Sequence, residues 1–409
     1  MTSGDSARWV CCQLGAREHY AVARALHRRD ALAALLTDAW VPPGSPWMMV
    51  PGDTGQRLSE RYSADLSSAT VKGFTTSLVA NEASWRLRGL SGWPLILERN
   101  RWFQSQASDT LGDLSSAAAA PMTVFAHSYS ALAIFKAAKD RGLTTVLGQI
   151  DPGEEHVRAS RDVSQRWPEF GPPLDQPPAK YFEDWREECR LADRIIANSE
   201  WSREMLERGG ADGRKIEVVA LPYEATGDHP AFTRHYPLAF STERPLRILF
   251  VGSVATFKGI PSLLASLDLL TGAPIELRVV GPMAATIPQK YLDDRRIQWI
   301  GSVSRSEVMQ HMRDADVLVF PSHSDGFGMA QVEAQGWLLP IIASRSSGRV
   351  IEDGVNGFLL PEVSATAIAD ALRRVLDPVV AAKLSAAAKP AGLTLDEFGD
   401  ALLVPERAS

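Results

Sequence analysis

At 409 residues the chain is too long for one ordinary hydrophobic core, and two domains of about 200 residues each are expected. Apolar residues make up 45% and charged residues 22%, the make-up of a globular enzyme. The formal charge of −6 divides evenly, −3 over residues 1–240 and −3 over the rest, so neither half has the basicity that binding a phosphate backbone demands and nucleic acid is not an expected partner.

The three cysteines, Cys11, Cys12 and Cys189, form no disulfide framework and no metal-ligand spacing, which fits a reducing cytoplasmic setting. Asp5 and Arg8 interrupt the start, so no signal peptide is read there, and no stretch reaches the roughly 20 apolar residues of a membrane span.

In chain order, short apolar runs alternate with helix-period segments, the pattern of α/β domains with parallel sheets. Trp9–Leu14 reads as a strand, Gly15–Ala16 as a turn, His19–Arg29 as a helix and Leu32–Thr37 as the next strand. Residues 41–120 are less regular. Pro42, Pro43, Pro46 and Pro51 crowd one loop, and Trp40, Trp47, Trp85, Trp93 and Trp102 gather there, either as core filling or as the wall of an acceptor cleft. Trp85–Phe103 mixes Arg86, Arg88, Arg99 and Arg101 with aromatics, either one amphipathic face or a contact for an anionic acceptor or the inner face of a membrane. Regularity returns with strand Met122–Ala126 ahead of His127, a helix from about Ser130 to Arg141, strands at Leu143–Gln149 and Arg194–Asn198, helix Trp201–Arg208 and strand Lys215–Leu221.

Residues 222–245 hold four prolines with little periodicity and read as a linker. A second α/β series follows, with strands Arg247–Val251, Ile275–Val280, Val317–Phe320 and Pro340–Ala343, helices at Ile260–Leu270 and Met329–Gln335, and helices beyond Ser364. The expected division is 1–230, 231–390 and a C-terminal helix in 391–409 that packs back on the first domain.

The chemistry concentrates in the second series. FVGSVATFKG is a strand, a glycine turn carrying Lys258 and a helix start, an arrangement that brings amides and a cation to a phosphate. Further on, FPSHSDGFGMAQVEAQG places Asp325 before a glycine-flanked helix and Glu333 two turns inside it. On their own, Asp325 could be a simple N-cap and Glu333 a solvated helix residue.

Taken together, DGFGMAQVEAQGWLLPIIAS, VIEDGVNGFLL and FVGSVATFKG resemble the acid-x7-acid motif and its surroundings in family-4 (group 1) retaining glycosyltransferases. GAREHYAVARALHRRD, FAHSYSALAIFKAAKDRGLTTVLGQID and ADRIIANSEWSREMLERGGADGRKIEVVALPYE are similar to that family's first half, while about residues 40–120 are not. The resemblance implies the GT-B fold: two Rossmann-like doubly wound parallel sheets facing a central cleft. It implies transfer of a sugar from a nucleotide-diphosphate sugar to the hydroxyl of a glycan, glycolipid or small molecule, with retention and without metal or other cofactor. Asp325 would hydrogen-bond the donor sugar, and the amides of Gly326, Phe327, Gly328 and Met329 would meet the diphosphate. Glu333 would hold the ribose. Lys258 with Gly252 and Ser253 would neutralise the leaving group, and His127 would close the cleft floor by the anomeric carbon. Gly15 and Ala16 would face the phosphates from the first domain, and the base would rest near Gly281, Gly301 and Val303.

The chain departs from the family pattern in places. Asp325 stands where Glu is usual, Ser253 where an arginine is often found, Pro282 near a usual second glycine, and Leu338 at the usual helix-ending glycine, so that Gly336 is expected to end that helix earlier. Rival readings are another GT-B activity (a sugar phosphorylase or nucleotide-sugar epimerase) and a non-catalytic nucleotide-sugar-binding subunit. A Rossmann dehydrogenase is disfavoured because GARE, not GxGxxG, follows the first strand.

Overall fold

The computed structural model describes residues 8–50, 60–117, 121–173, 175–224, 232–389 and 392–404, with Gly55 and Leu58. Two parallel sheets organise it. The first has seven strands in the order β3-β2-β1-β4-β5-β6-β7: β1 Arg8–Gln13, β2 Leu32–Thr37, β3 Val71–Gly73, β4 Met122–His127, β5 Thr144–Gly148, β6 Arg194–Ala197 and β7 Ile216–Val218. The second has six in the order β10-β9-β8-β11-β12-β13: β8 Leu246–Val251, β9 Ile275–Val280, β10 Ile297–Gly301, β11 Val317–Phe320, β12 Ile341–Ala343 and β13 Gly357–Leu359. All neighbours pair parallel. A parallel sheet needs helices on both faces, which is why the middle of β1, Trp9–Cys12, is apolar throughout. Cys11 joins the core shared with Tyr20 and Leu26, and Cys12 joins the opposite one with Phe103 and Phe135.

Strand order reverses between β1 and β4 in the first sheet and between β8 and β11 in the second. In open α/β sheets the reversal splays the two loops that leave the carboxyl ends, and ligands bind in the crevice between them. Four of the residues singled out above leave from these strands, Gly15 after β1, His127 at the end of β4, Gly252 after β8 and Asp325 after β11, while Gly281 and Gly301 stand at the ends of β9 and β10.

Several expectations change. The first helix starts at Ala21, not His19, because Glu18, His19 and Tyr20 take left-handed φ values of 44°, 51° and 61°. Residues 41–120 contain two substantial helices, Thr75–Leu87 and Gly92–Ala117. Core filling holds for Trp40, which packs edge-on to Tyr20 at 5.5 Å, and for Trp85 and Trp102, 6.1 Å apart. Trp93 is half-buried, edge-on to Tyr181 at 4.9 Å, and donates to the Asp175 carbonyl. The proline-rich stretch is not a free tether where it is described: Arg234 donates to the carbonyls of Met312, Ala315, Trp337 and Leu338, and Tyr236 to that of Asp316, fastening the segment to the second domain. The expected boundaries at 230/231 and 390/391 lie outside the described residues, as do Pro51, Pro230 and residues 405–409.

Helix Leu395–Leu403, started by a Thr394/Glu397 capping box, lies on helix Ala21–Arg28. Phe398 and Leu402 enter the core of Val22 and Leu26, and Arg29 pairs with Asp400 at 2.6 Å. Among the described residues, no helix is long and apolar enough to cross a membrane.

Candidate active site

On the second sheet, Gly252 (φ 144°) donates to Val280 O at 2.9 Å and Gly281 (φ 142°) to Gly301 O at 2.8 Å. A Cβ on Gly281 would come within 2.0 Å of the Gly252 carbonyl oxygen, so only glycine permits this stack of strand ends. Val303, just beyond Gly301, packs partly on the core beneath. The Ser253 carbonyl accepts from Ala255, and the 3-10 turn Thr256–Lys258 follows. Gly259 (φ 77°) lies so close to Pro321 that a Cβ would meet its carbonyl oxygen at 2.0 Å. This approach joins the β8 and β11 loops, and Lys258 forms an ion pair with Asp325. The ammonium also lies 5.3 Å from the Phe257 ring and 5.9 Å from that of Phe320.

Helix Met329–Gly336 begins at Gly328 (φ 79°) with no side-chain cap, so Asp325 is not its N-cap. Buried Phe327 accepts from Gly348 N–H through its carbonyl. Glu333 is not a solvated helix residue either. Its side chain is 15% exposed, 3.5 Å from Arg305, and burial raises its carboxyl above the usual range while Arg305 opposes the shift. The helix ends at Gly336, as its glycine suggests, and Leu338 takes φ 52°, a left-handed conformation that glycine adopts more readily.

On the first sheet, His127 ends β4 and is 7% exposed. Neither ring nitrogen has a hydrogen-bond partner among the described residues, whereas a structural buried histidine is ordinarily satisfied. Burial, then the Arg17 charge, lower its pKa to about 3, with the Gly148 backbone pulling the other way, so the imidazole is neutral near pH 7. It lines a cavity of about 40 Å³ with Glu18, Gln149 and Asn198 as its other polar walls. The Glu18 carboxyl is raised by lost solvation, Arg17 opposing, although the residue keeps a solvent-facing side. Gly15 (φ 87°) donates to Asp38 at 3.0 Å, and the Ala16 carbonyl accepts from His19.

The two sides meet. Ser199 and Ser202 donate to the Gly326 carbonyl at 2.5 and 3.2 Å. A Cβ on Gly326 would sit 2.9 Å from Asn198 Nδ2 and 3.0 Å from Ile150 O, and both residues line the His127 cavity. Arg305 lies 2.9 Å from His19, linking the left-handed β1 loop to Glu333. The contacts of Gly326 and of Arg305 thus join the second-domain set to the β1 loop and to residues around the His127 cavity, whereas Gly15 lines a separate cavity of the first domain.

Sequence reasoning missed Arg305, Ser199 and His156. His156 stands in helix Glu154–Arg166, edge-on to Phe257 at 5.0 Å, with Nδ1 buried and unpartnered. Burial lowers its pKa first, Asp151 opposes, Lys258 lowers it further and Asp325 opposes. The signal was legible: QIDPGEEH leads from β5 through Gly153 (φ 72°) into a helix, the same strand-glycine-helix logic that singles out Asp325 and Glu333.

Residues 245–378 match the family model described as glycosyl transferases group 1. The matched segment contains Lys258, Asp325, Glu333 and the stacked glycines, whereas Gly15 and His127 lie outside it. The D-inositol 3-phosphate glycosyltransferase of Kineococcus radiotolerans is 32% identical over 218 residues, 46% of this chain and 49% of that protein. The protein of the same name from Geodermatophilus obscurus is 30% identical over 209 residues, 45% and 46% of the two chains. The chain therefore spans about half the length of the curated relatives it matches. The described chain as a whole has the GT-B fold. HepE of Anabaena, in complex with UDP and glucose, superposes with a TM-score of 0.61 at 14% identity over 97% of this chain and 98% of that one. Sucrose-phosphate synthase from Thermosynechococcus elongatus does so with a TM-score of 0.62 at 15% identity over 97% of both.

Proposed function

We propose that the protein is a retaining, metal-independent glycosyltransferase that moves a sugar from a nucleotide-diphosphate sugar to an acceptor hydroxyl. The observation that supports this reading is that Gly326, next to the Lys258–Asp325 pair, packs on Ser199, Asn198 and Ile150, and the last two also line the cavity of the buried, unpartnered His127. Departure of a nucleoside diphosphate builds negative charge on the β-phosphate and positive charge on the anomeric carbon. Lys258 and the uncapped amides at Gly326–Met329 are preorganised for the first, so a divalent ion is not needed there. Neutral His127 can hydrogen-bond the sugar without adding charge that would oppose an oxocarbenium. Asp325 is released from Lys258 when the diphosphate takes the ammonium, and then holds the sugar hydroxyls. Glu333 holds the ribose, and the base lies over Gly281, Gly301 and Val303. Closure excludes water that would hydrolyse the donor. UDP is the first nucleotide to test, since HepE is crystallised with it.

A retaining glycosidase pair would set two carboxylates about 5 Å apart around the bond. Asp325 is engaged with Lys258 and Glu333 with Arg305, which favours the transferase reading. The test is a donor screen: nucleotide release from a panel of nucleotide sugars, with and without EDTA, and the anomeric configuration of the product by NMR. Release of nucleotide insensitive to EDTA, with retained configuration, is expected. A strict metal requirement, inversion, or dependence on free phosphate in place of a nucleotide would overturn it.

A further inference from the structure

A cavity of about 420 Å³ opens where helix Glu200–Arg208 of the first domain faces the loop that follows β12. That volume is in the range of small-molecule sites, roughly 300–1,000 Å³. Trp201 and Glu204, three residues apart and so on one side of that helix, form one wall, and Arg345, Ser347 and Arg349 form the other. Arg349 lies 3.4 Å from Glu204 across the domain boundary, which partners the one carboxylate of the lining. Arg345 makes no ion pair or side-chain hydrogen bond among the described residues, so the lining keeps a surplus of one positive charge. The Trp201 indole nitrogen is buried and likewise has no acceptor among the described residues. A buried N–H is ordinarily satisfied, and leaving one unmade is costly, so this group marks a place for an acceptor from outside the chain.

Lys258, Asp325 and Glu333 do not line this cavity, yet its loop is bonded directly to theirs. Asp325 N–H donates to the Ser346 carbonyl at 2.9 Å and Gly348 N–H to the Phe327 carbonyl at 3.1 Å, so the cavity loop is tied down on both sides of Gly326. A Cβ on Gly348 would lie 2.6 Å from the Phe327 carbonyl oxygen, an approach that only glycine permits. Ser199 and Ser202, which flank Trp201 in the chain, hold the Gly326 carbonyl from the first domain. Because its walls belong to both domains, the cavity exists as a site only while they are together. Its donors, Arg345, Arg349 and the Trp201 N–H, come from two facing elements, and this set matches the three terminal oxygens of a phosphate monoester better than the two of a carboxylate. We propose that this cavity is an effector site for a small phosphate ester, whose binding holds the two domains closed over the Asp325 loop. Ester binding there is independent of the transferase reading, and only its effect on nucleotide affinity rests on that reading.

The test uses the full chain, with glycerol 3-phosphate and inorganic phosphate as probes, titrated by calorimetry on the Lys258→Ala background so that the donor site contributes little. Arg345→Gln is expected to weaken glycerol 3-phosphate binding about tenfold, the scale of one charge-assisted contact. Trp201→Phe, which keeps a ring and removes the N–H, is expected to weaken it about threefold or more. Arg203→Gln removes the same charge from the same helix outside the cavity lining and is expected to stay within about twofold. The ester is expected to bind more tightly than inorganic phosphate, and the reverse order would overturn the assignment of the ligand. Small-angle scattering reads closure without any nucleotide: the ester is expected to compact the wild type and not Arg345→Gln. UDP is then titrated with and without the ester. By reciprocal linkage an effector that favours the closed form raises UDP affinity, here by about fivefold or more, and Arg345→Gln loses that gain. Ester binding insensitive to Arg345→Gln, weakened as much by Arg203→Gln, or without compaction would overturn the proposal. Absence of UDP binding with intact, Arg345-dependent ester binding and compaction would sink only the transferase reading.

Discussion

Lys258 and Asp325 form an ion pair across the β8/β11 switch point, with side chains only 19% and 18% exposed. The resemblance assigns Lys258 to the diphosphate and Asp325 to the donor sugar, yet in this structure each is the other's partner. Binding must exchange that pair for a diphosphate–lysine contact. Asp325→Asn is therefore expected to leave nucleoside-diphosphate affinity unchanged or a few-fold tighter while lowering transfer. Lys258→Ala is expected to weaken it by about 1.5–3 kcal/mol. Calorimetry with UDP on both variants checks this, and equal weakening by both would contradict the division of roles.

Arg305 ties Glu333 to His19 across the cleft, so removing it should act on both ribose binding and closure. Glu333→Gln is expected to weaken free nucleotide and donor alike. Arg305→Gln is expected to raise the donor KM with a broadened interdomain distance distribution. Small-angle scattering with and without UDP, beside steady-state kinetics, would show an unchanged closure if the His19 contact is incidental.

His127 is expected to set the rate and not the nucleotide affinity, because it stands on the first sheet while Lys258, Asp325 and Glu333 stand on the second domain. His127→Ala should lower transfer about 100-fold while UDP binding stays within a few-fold. With its pKa near 3, against an ordinary 6.5, the folded protein binds fewer protons than the unfolded chain between those values, so its burial costs stability as pH falls through that window. Acid unfolding of His127→Ala should accordingly be shallower between pH 6.5 and 3. A variant with wild-type transfer would return this residue to a structural role.

Glu188 gives the opposite sign. Buried, it accepts from the amides of Tyr129, Ala131 and Leu132 at the start of helix Leu132–Lys139, and burial raises it from about 4.5 to about 7. A raised carboxyl holds a proton in the folded state that the unfolded chain has lost, so its contribution to stability falls as pH rises from 4.5 to 7 and is flat above. Glu188→Gln, which turns a donor toward a donor, is expected to cost about 1–3 kcal/mol and to remove that slope. Urea midpoints at pH 5 and pH 8 measure both effects, and parallel pH profiles for wild type and variant would refute the assignment.

His156→Ala removes the edge contact that supports Phe257 under the Lys258 ammonium. Nucleotide binding is expected to weaken several-fold, with partial recovery in His156→Phe, since an aromatic edge is worth about 0.5–1.5 kcal/mol. Full activity in both would leave this histidine outside the site.

The sequence by itself determined the two α/β halves, the strand-end glycines and the places of Lys258, His127, Asp325 and Glu333, because those signals are local. Gly252 and Gly281 are needed for a φ no other residue takes easily, and Trp9–Cys12 of β1 and all of β11 are apolar because a parallel strand is covered on both faces. Helices Thr75–Leu87 and Gly92–Ala117 were not legible, since their apolar residues do not keep to one face and the first lacks a side-chain cap. Only the tertiary structure decided which charges meet. Lys258 finds Asp325 67 residues on, Arg305 finds His19 286 residues back, and Gly15 shares a cavity with Arg86 and Arg99. Partners this distant in the chain are set by strand order and by the meeting of the two domains. A sequence pattern of period 2 or 3.6 carries no record of either.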